Sequence, residues 1–346
     1  MGRLVFVGLG LGPRGVSLEG VDEIKEADEV YLEYYTTPHE PRLLKELQDA
    51  VSRRIIVVDR DFVEDGRKIL EEAKARKVAL AVLGDPMIAT THTELRARAI
   101  SAGIETRIVH AASIASAAAS ASGLHYYKFS RTVTVTRESV NRLSQAYHIL
   151  HQNLLEGAHT LLLLEYDAQS GEGVSPGDAV GGLLLAEANF KRGVVHEGTF
   201  GMVQSRLGRE DAARAAGDFR ELGGREYGEP PHSLLIPGKL HFSEAEAVSA
   251  IFAIEPGRVK GNSDSLLRTA QRLVPKYVEK TRRALESVGG KLGAQYGSVL
   301  ENAELYLKDA ERNLAEGEDE VAMLNVGYAE GLLDSLAFAG VVKIEW

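Results

Sequence analysis

Cysteine is absent from the 346 residues, which excludes disulfides, thiolate nucleophiles and cysteine-ligated zinc. Long apolar runs are also missing, since no stretch reaches the ~18 uninterrupted residues of a membrane-spanning helix. Positive charge is in deficit. With 40 Lys+Arg against 50 Asp+Glu the formal net charge is -10, which argues against broad nucleic-acid binding and leaves a basic-faced partner open. What remains is ordinary for a globular chain: 44% hydrophobic, 26% charged and 10 Pro, long enough for two or three domains with their own cores. The opening MGRLVFVGLGLGP runs into a strand and a glycine turn with no charged-then-apolar leader, so the expected location is the cytoplasm.

The first ~115 residues alternate β-rich and helical stretches. Arg3–Val7, Glu29–Leu32, Arg54–Val58, Val78–Leu83 and Thr106–Val109 read as strands, with helices at Val16–Glu26, Asp65–Ala75 and Thr93–Ala102. Near-continuous apolar strands separated by helices predict a mostly parallel sheet covered on both faces. Beyond LHYYKFSRTVTV the pattern changes. Strands are expected at Thr132–Thr136, His159–Leu164, Gly198–Val203 and Ser233–Ile236, and helices at Leu143–Glu156 and Pro176–Ala188. From about Asn262 only helical spacing remains, at Ser263–Val288, Lys291–Ala315 and Asp319–Ala339. Residues 258–291 carry 9 Lys/Arg against 3 Asp/Glu, and residues 301–335 carry 2 against 10. Oppositely charged helices packing together account for this, with a docking surface as the alternative. Asp264–Arg268 and Glu279–Arg283 add i,i+4 support on the first helix. The expected division is 1–122, 123–252 and 260–346.

Three turns carry candidate chemistry. Gly10-x-Gly12-x-x-Gly15 follows an apolar strand and fits a dinucleotide fingerprint, with Glu33 near the place of a ribose-binding acid. Pro13 opposes that reading, because it removes a backbone N–H from the turn. Gly84-Asp85-Pro86-Met87 ends the strongest apolar strand and places one carboxylate at the sheet edge, either capping the next helix or facing a ligand. His110-Ala111-Ala112-Ser113-Ile114 follows another strand. Ser113 is a helix N-cap or a ligand contact there, and His110 a packed strand-end residue. All three turns fall where open α/β sheets bind ligands, so together they predict a pocket. A hydrolase Gly-x-Ser-x-Gly elbow, a Walker loop and His-Glu-x-x-His are absent. His148 and His151 read as an ordinary helix face rather than a metal pair.

In order, GLGLGP at 8–13, LGDPMIATTH at 83–92, HAASI at 110–114, SGLHYYKF at 122–129, AHTLLLLE at 158–165 and EPPHSLLIPGKLH at 229–241 resemble the diphthine synthases, a branch of the tetrapyrrole (corrin/porphyrin) methylases. The resemblance covers roughly residues 1–245. It implies two α/β domains of the tetrapyrrole methylase type with a cofactor cleft between them, plus a C-terminal all-α helical domain. It further implies a homodimer that uses S-adenosylmethionine and no metal. The implied protein substrate is elongation factor 2, at a histidine bearing a 3-amino-3-carboxypropyl group. Carried over position by position, the cofactor contacts are Leu11, Asp85, Ile88, Ser113, Ile114, Leu164, Leu207 and His232. Such a site can work with or without a dedicated base, since the amine must lose its proton only before attack. Asp85 serves the ribose hydroxyls or the sulfonium charge. RESVNRLSQAYHIL and YDAQSGEGVSPGD depart from the family pattern, on the side of expected substrate contact. Alternatives are a precorrin-type C-methyltransferase and, more distantly, a nicotinamide oxidoreductase. The last ~90 residues resemble small archaeal helical domains of unknown function, here expected to assist docking or dimerisation.

Overall fold

The hexapeptide KVALAV is the kind of sequence that only a strand buried on both faces tolerates. In the computed structural model, which describes residues 2–12, 14–35, 41–263 and 266–344, it forms β4 (Lys77–Val82), buried throughout after its first residue. β4 is the centre of a five-stranded sheet with β1 (Arg3–Gly8), β2 (Glu29–Glu33), β3 (Ile56–Val58) and β5 (Glu105–Val109). The spatial order is β3-β2-β4-β1-β5, and every pairing is parallel. Alternate residues of β1 show how the sheet is covered. Leu4 and Phe6 join one core with Ile69 and Leu95, while Val5 and Val7 join another with Ile24 and Leu47.

The flanking helices are α1 (Leu18–Lys25), α2 (Pro41–Val51), α3 (Arg60–Asp65), α4 (Arg67–Ala73), α5 (His92–Ser101) and α6 (Ile114–Ser122). Ser17 caps α1 by accepting from Gly20 N at 3.1 Å. The helix expected over Asp65–Ala75 is α4, and the short α3 before it was not expected. Gly66, at φ 61°, adopts the left-handed conformation that ends α3 and restarts the chain as α4.

The second sheet has the order β11-β10-β12-β7-β6 and is mixed. It comprises β6 (Val133–Val135), β7 (Thr160–Leu164), β10 (Phe200–Ser205), β11 (Ala213–Asp218) and β12 (His232–Ile236). Only β6 and β7 pair in parallel among its strands. A short hairpin, β8 (Tyr166–Asp167) with β9 (Glu172–Gly173), lies in the segment that departs from the family pattern. Around this sheet stand α7 (Ser144–Leu155), α8 (Pro176–Phe190), α9 (Phe219–Gly223) and α10 (Phe242–Phe252). The strand β11 and the helices α2 and α10 have no counterpart among the sequence expectations. Both sheets belong to one compact unit, Met1–Asp264.

Among the described residues of the second unit, Ser265–Trp346, there are helices and no strands: α11 (Thr269–Gly289), α12 (Gly297–Glu316) and α13 (Asp319–Phe338) are the long ones. Val274, Val278, Leu285, Leu307, Val326 and Leu333 form its core. Several of the segregated charges find partners inside this unit. Lys280 meets Glu330 at 3.1 Å, Arg282 meets Glu311 at 3.1 Å and Arg268 meets Asp319 at 3.4 Å. Glu279 and Arg283 pair as expected, whereas Asp264 and Pro13 lie outside the described residues. No helix among the described residues is long and apolar enough to cross a membrane.

Candidate active site

A cavity of about 290 Å³ opens at the carboxyl edge of the first sheet and is closed by strands of the second. Leu11, Asp85, Ile88, Ser113, Ile114, Leu164, Leu207 and His232 all line it. Each arrives by a different route. Leu11 follows β1, Asp85 and Ile88 follow β4, and Ser113 and Ile114 stand at the start of α6. Leu164 ends β7, Leu207 follows β10 and His232 begins β12. Ser113 occupies the N-cap position of α6 without making a side-chain cap bond. Ile88 remains 45% exposed, an apolar side chain left for a ligand to cover.

Asp85 is the charged centre of the wall. It does not cap α5; its carboxylate accepts from Met87 N at 2.9 Å and Ala111 N at 3.2 Å and meets His110 Nδ1 at 2.8 Å. Burial opposes its charge, but these hydrogen bonds outweigh burial and hold its carboxyl below the ordinary aspartate value. His110 is therefore not a packed strand-end residue: its side chain is exposed and anchors Asp85. Across the cavity, His232 Nδ1 lies 2.7 Å from Ser205 Oγ. Burial, reinforced by the nearby Arg206 charge, pushes the His232 pKa down to about 4. We expect an NMR titration to find this ring neutral from pH 7 down to about 4. Because the unfolded chain takes up that proton near 6.5 and the folded one does not, His232 lowers stability progressively as pH falls between these values.

The sequence reading missed several wall residues. Gln204 is buried near the end of β10, donates Nε2–H to Ala118 O at 3.1 Å, and has no partner for Oε1 among the described residues. A polar residue inside a fully buried strand was the signal that could have found it. Arg60, Thr134, Arg206 and Arg209 line the cavity as well. His148 and His151 serve packing elsewhere. His148 sits against Phe190, with ring centroids 4.7 Å apart, and His151 Nδ1 lies 3.4 Å from Arg192. Among the described residues no three His, Asp or Glu are placed to hold a metal.

The geometry also weighs against the dinucleotide reading. That fold places β2 beside β1, so that the acid ending β2 reaches the ligand at the glycine turn. Here β4 separates them, and Glu33 stands two strands from the turn. Gly12 is needed for a different close approach: a methyl group there would collide with the Gly208 carbonyl oxygen. The glycine turn thus seats the loop after β10 against the end of β1.

Comparison with known proteins agrees with this geometry. Residues 3–175 match the tetrapyrrole (corrin/porphyrin) methylases, and residues 276–342 match a protein family of unknown function, DUF357. The diphthine synthase of Methanothermobacter thermautotrophicus is 36% identical over 70% of this chain and 93% of its own length. The chain belongs to the diphthine synthase family. The diphthine synthase of Methanosarcina mazei is 37% identical over 71% of this chain and 94% of its own. A crystal structure of a diphthine synthase superposes with a TM-score of 0.66 at 30% identity, covering 77% of this chain and all of that one. A conserved hypothetical protein from Aeropyrum pernix superposes at 0.69 with 29% identity, over 79% of this chain and 96% of that one.

Family membership makes the chain an S-adenosylmethionine-dependent methyltransferase of diphthamide biosynthesis. The cavity suits that cofactor. Leu11, Ile88, Ile114, Leu164 and Leu207 give it apolar walls, and the ionised Asp85 offers a carboxylate.

Proposed function

We propose that this diphthine synthase relative methylates the amino group of the 3-amino-3-carboxypropyl-histidine of elongation factor 2, with S-adenosylmethionine held in the 290 Å³ cavity. The observation that carries the reading is the convergence of eight positions, from Leu11 to His232, on that one cavity. S-adenosylmethionine supplies an activated methyl group on a sulfonium. The protein's part is to align the acceptor and exclude water. Leu11, Ile88, Ile114, Leu164 and Leu207 provide the apolar walls, while His232 adds no competing positive charge at neutral pH. Asp85 remains the group for the ribose hydroxyls or the sulfonium.

The same reading makes the protein a cytoplasmic homodimer whose protein partner is elongation factor 2, with no nucleic acid, membrane or metal involved. It treats residues 1–122 and 123–252 as the two α/β domains and 260–346 as a helical domain that assists docking or dimerisation.

Titration calorimetry tests the cofactor assignment. Micromolar binding of S-adenosylhomocysteine without binding of NADH is the expected result. NADH binding alone would restore the glycine fingerprint as the true signal. Methyl transfer from labelled S-adenosylmethionine to modified elongation factor 2, and not to the unmodified factor, then tests the acceptor.

A further inference from the structure

One side of the cavity holds none of the eight cofactor positions. Along the edge of the first sheet the strand order places Arg60, Glu33, Asp85, Leu11 and Ser113 in succession. The cofactor positions occupy only the last three strands of this row. Glu33 ends β2 in register with Val58 of β3, and Arg60 lies two residues beyond Val58, so the two are neighbours on the opposite flank.

The two side chains are held in contrasting ways. Arg60 is exposed, its guanidinium lies 5.2 Å from the centroid of the Tyr35 ring, and no carboxylate among the described residues stands within ion-pair distance. Tyr35 is itself tied down, because its carbonyl accepts from Ala168 N at 3.0 Å. Glu33 is buried beside an equally buried His92, with Oε2 3.3 Å from Nε2. His92 Nδ1 lies 2.9 Å from the Pro86 carbonyl oxygen. A carbonyl only accepts, so Nδ1 carries the hydrogen, and burial keeps the ring neutral. Nε2 then presents a lone pair to the Glu33 carboxylate. Two acceptors facing each other make a natural seat for one proton.

We propose that Glu33 and Arg60 form the subsite for the α-amino-acid end of the methyl acceptor, with His92 as the positioning residue behind Glu33. This deepens, and rests on, the reading that the acceptor is a 3-amino-3-carboxypropyl group. That group carries an ammonium and a carboxylate on one carbon, so its recognition calls for one anion and one cation side by side. Arg60 takes the carboxylate, in which a guanidinium fork matches two oxygens. Glu33 takes the ammonium. One N–H bond of the ammonium breaks, its electron pair stays on nitrogen as the attacking lone pair, and the proton passes to the Glu33–His92 seat. No further reactant is required.

The methionine end of the cofactor has the same zwitterionic chemistry, and binding measurements separate the two sources. Arg60→Ala changes an exposed residue and leaves the core intact; Arg60→Lys keeps the charge without the fork; Glu33→Gln keeps size. S-adenosylhomocysteine affinity is measured by calorimetry for each. The affinity of the S-adenosylhomocysteine-saturated protein for modified elongation factor 2 is measured beside it, followed by steady-state kinetics. Arg60→Ala is expected to weaken acceptor binding by about tenfold or more and to raise its KM, with Arg60→Lys recovering part of the loss. Glu33→Gln is expected to lower kcat by about 100-fold. S-adenosylhomocysteine affinity should stay within about twofold throughout, because no cofactor contact is touched. A parallel loss of S-adenosylhomocysteine affinity would assign the pair to the cofactor and overturn the proposal, as would unchanged acceptor binding in Arg60→Ala. If the unaltered protein fails to methylate elongation factor 2, the functional reading itself falls. Normal activity in the unaltered protein and in all three variants overturns the subsite alone.

Discussion

Asp85→Ala is expected to weaken S-adenosylhomocysteine binding by about 100-fold, roughly 3 kcal/mol, in a calorimetric titration. Two effects add. The carboxylate is lost from the cavity wall, and so is the acceptor that holds Met87 N and Ala111 N, which ties the turn after β4 to the turn after β5. Asp85→Asn separates them. Its amide oxygen can keep one of the two backbone bonds while the charge is gone, so an intermediate loss of about tenfold is expected. Unchanged affinity in Asp85→Ala would remove the residue from the cofactor site under either of its roles.

A comparable effect on stability is expected at Glu244, far from any assigned contact. This carboxylate in α10 is fully buried and accepts from His125 N and His241 N at 2.8 Å each. It also meets His159 Nε2 at 2.8 Å and the Lys128 ammonium. His159 Nδ1 accepts from Gly238 N at 3.0 Å, so its hydrogen sits on Nε2 and points at Glu244. Burial alone would raise the Glu244 pKa, but the His241 N–H, Lys128, the His125 N–H and His159 outweigh it and pull it down to about 2. Glu244→Gln leaves Lys128 without its counter-charge and is expected to cost about 3–5 kcal/mol. For a unit of this size that corresponds to a Tm lower by roughly 10 °C in calorimetry. The depressed pKa also fixes the pH dependence. Glu244 contributes its full stability above the ordinary value of 4.5 and loses it as pH falls toward 2. The unaltered protein should therefore lose stability across that window more steeply than the Gln variant. A Tm unchanged by the substitution would mean that the buried cluster carries no stability.

Six segments, read in order, made the family legible, and three of them, at 8–13, 83–92 and 110–114, follow strand ends, where chain direction and turn chemistry coincide. The strands β1 and β4 were legible for a simpler reason: burial on both faces leaves only apolar residues. Other elements carried no such mark. β11, ARAAGD, has no β-branched residue and is held by pairing with β10 rather than by propensity. The helix α2 begins at a proline and follows no N-cap pattern that the reading used. Strand order was hidden altogether, since no local residue records that β4 inserts between β1 and β2. That one crossover separates a dinucleotide reading of Gly10, Gly12 and Glu33 from the arrangement found. Glu33 was noticed only as a ribose-binding acid, and Arg60 was not noticed at all. Their adjacency exists only once β2 and β3 lie in register.

The second sheet adds one more consequence through its weave. β12 is the last of its strands in the chain, yet it lies in the middle of the sheet, between β10 and β7. During synthesis, β7 and β10 therefore wait for a strand that has not yet been made, and the wall of the cavity has a gap until His232–Ile236 arrives. The pocket wall therefore depends on β12, the neighbour that β10 and β7 share. The helices from Thr269 onward are translated only after every residue that lines the pocket.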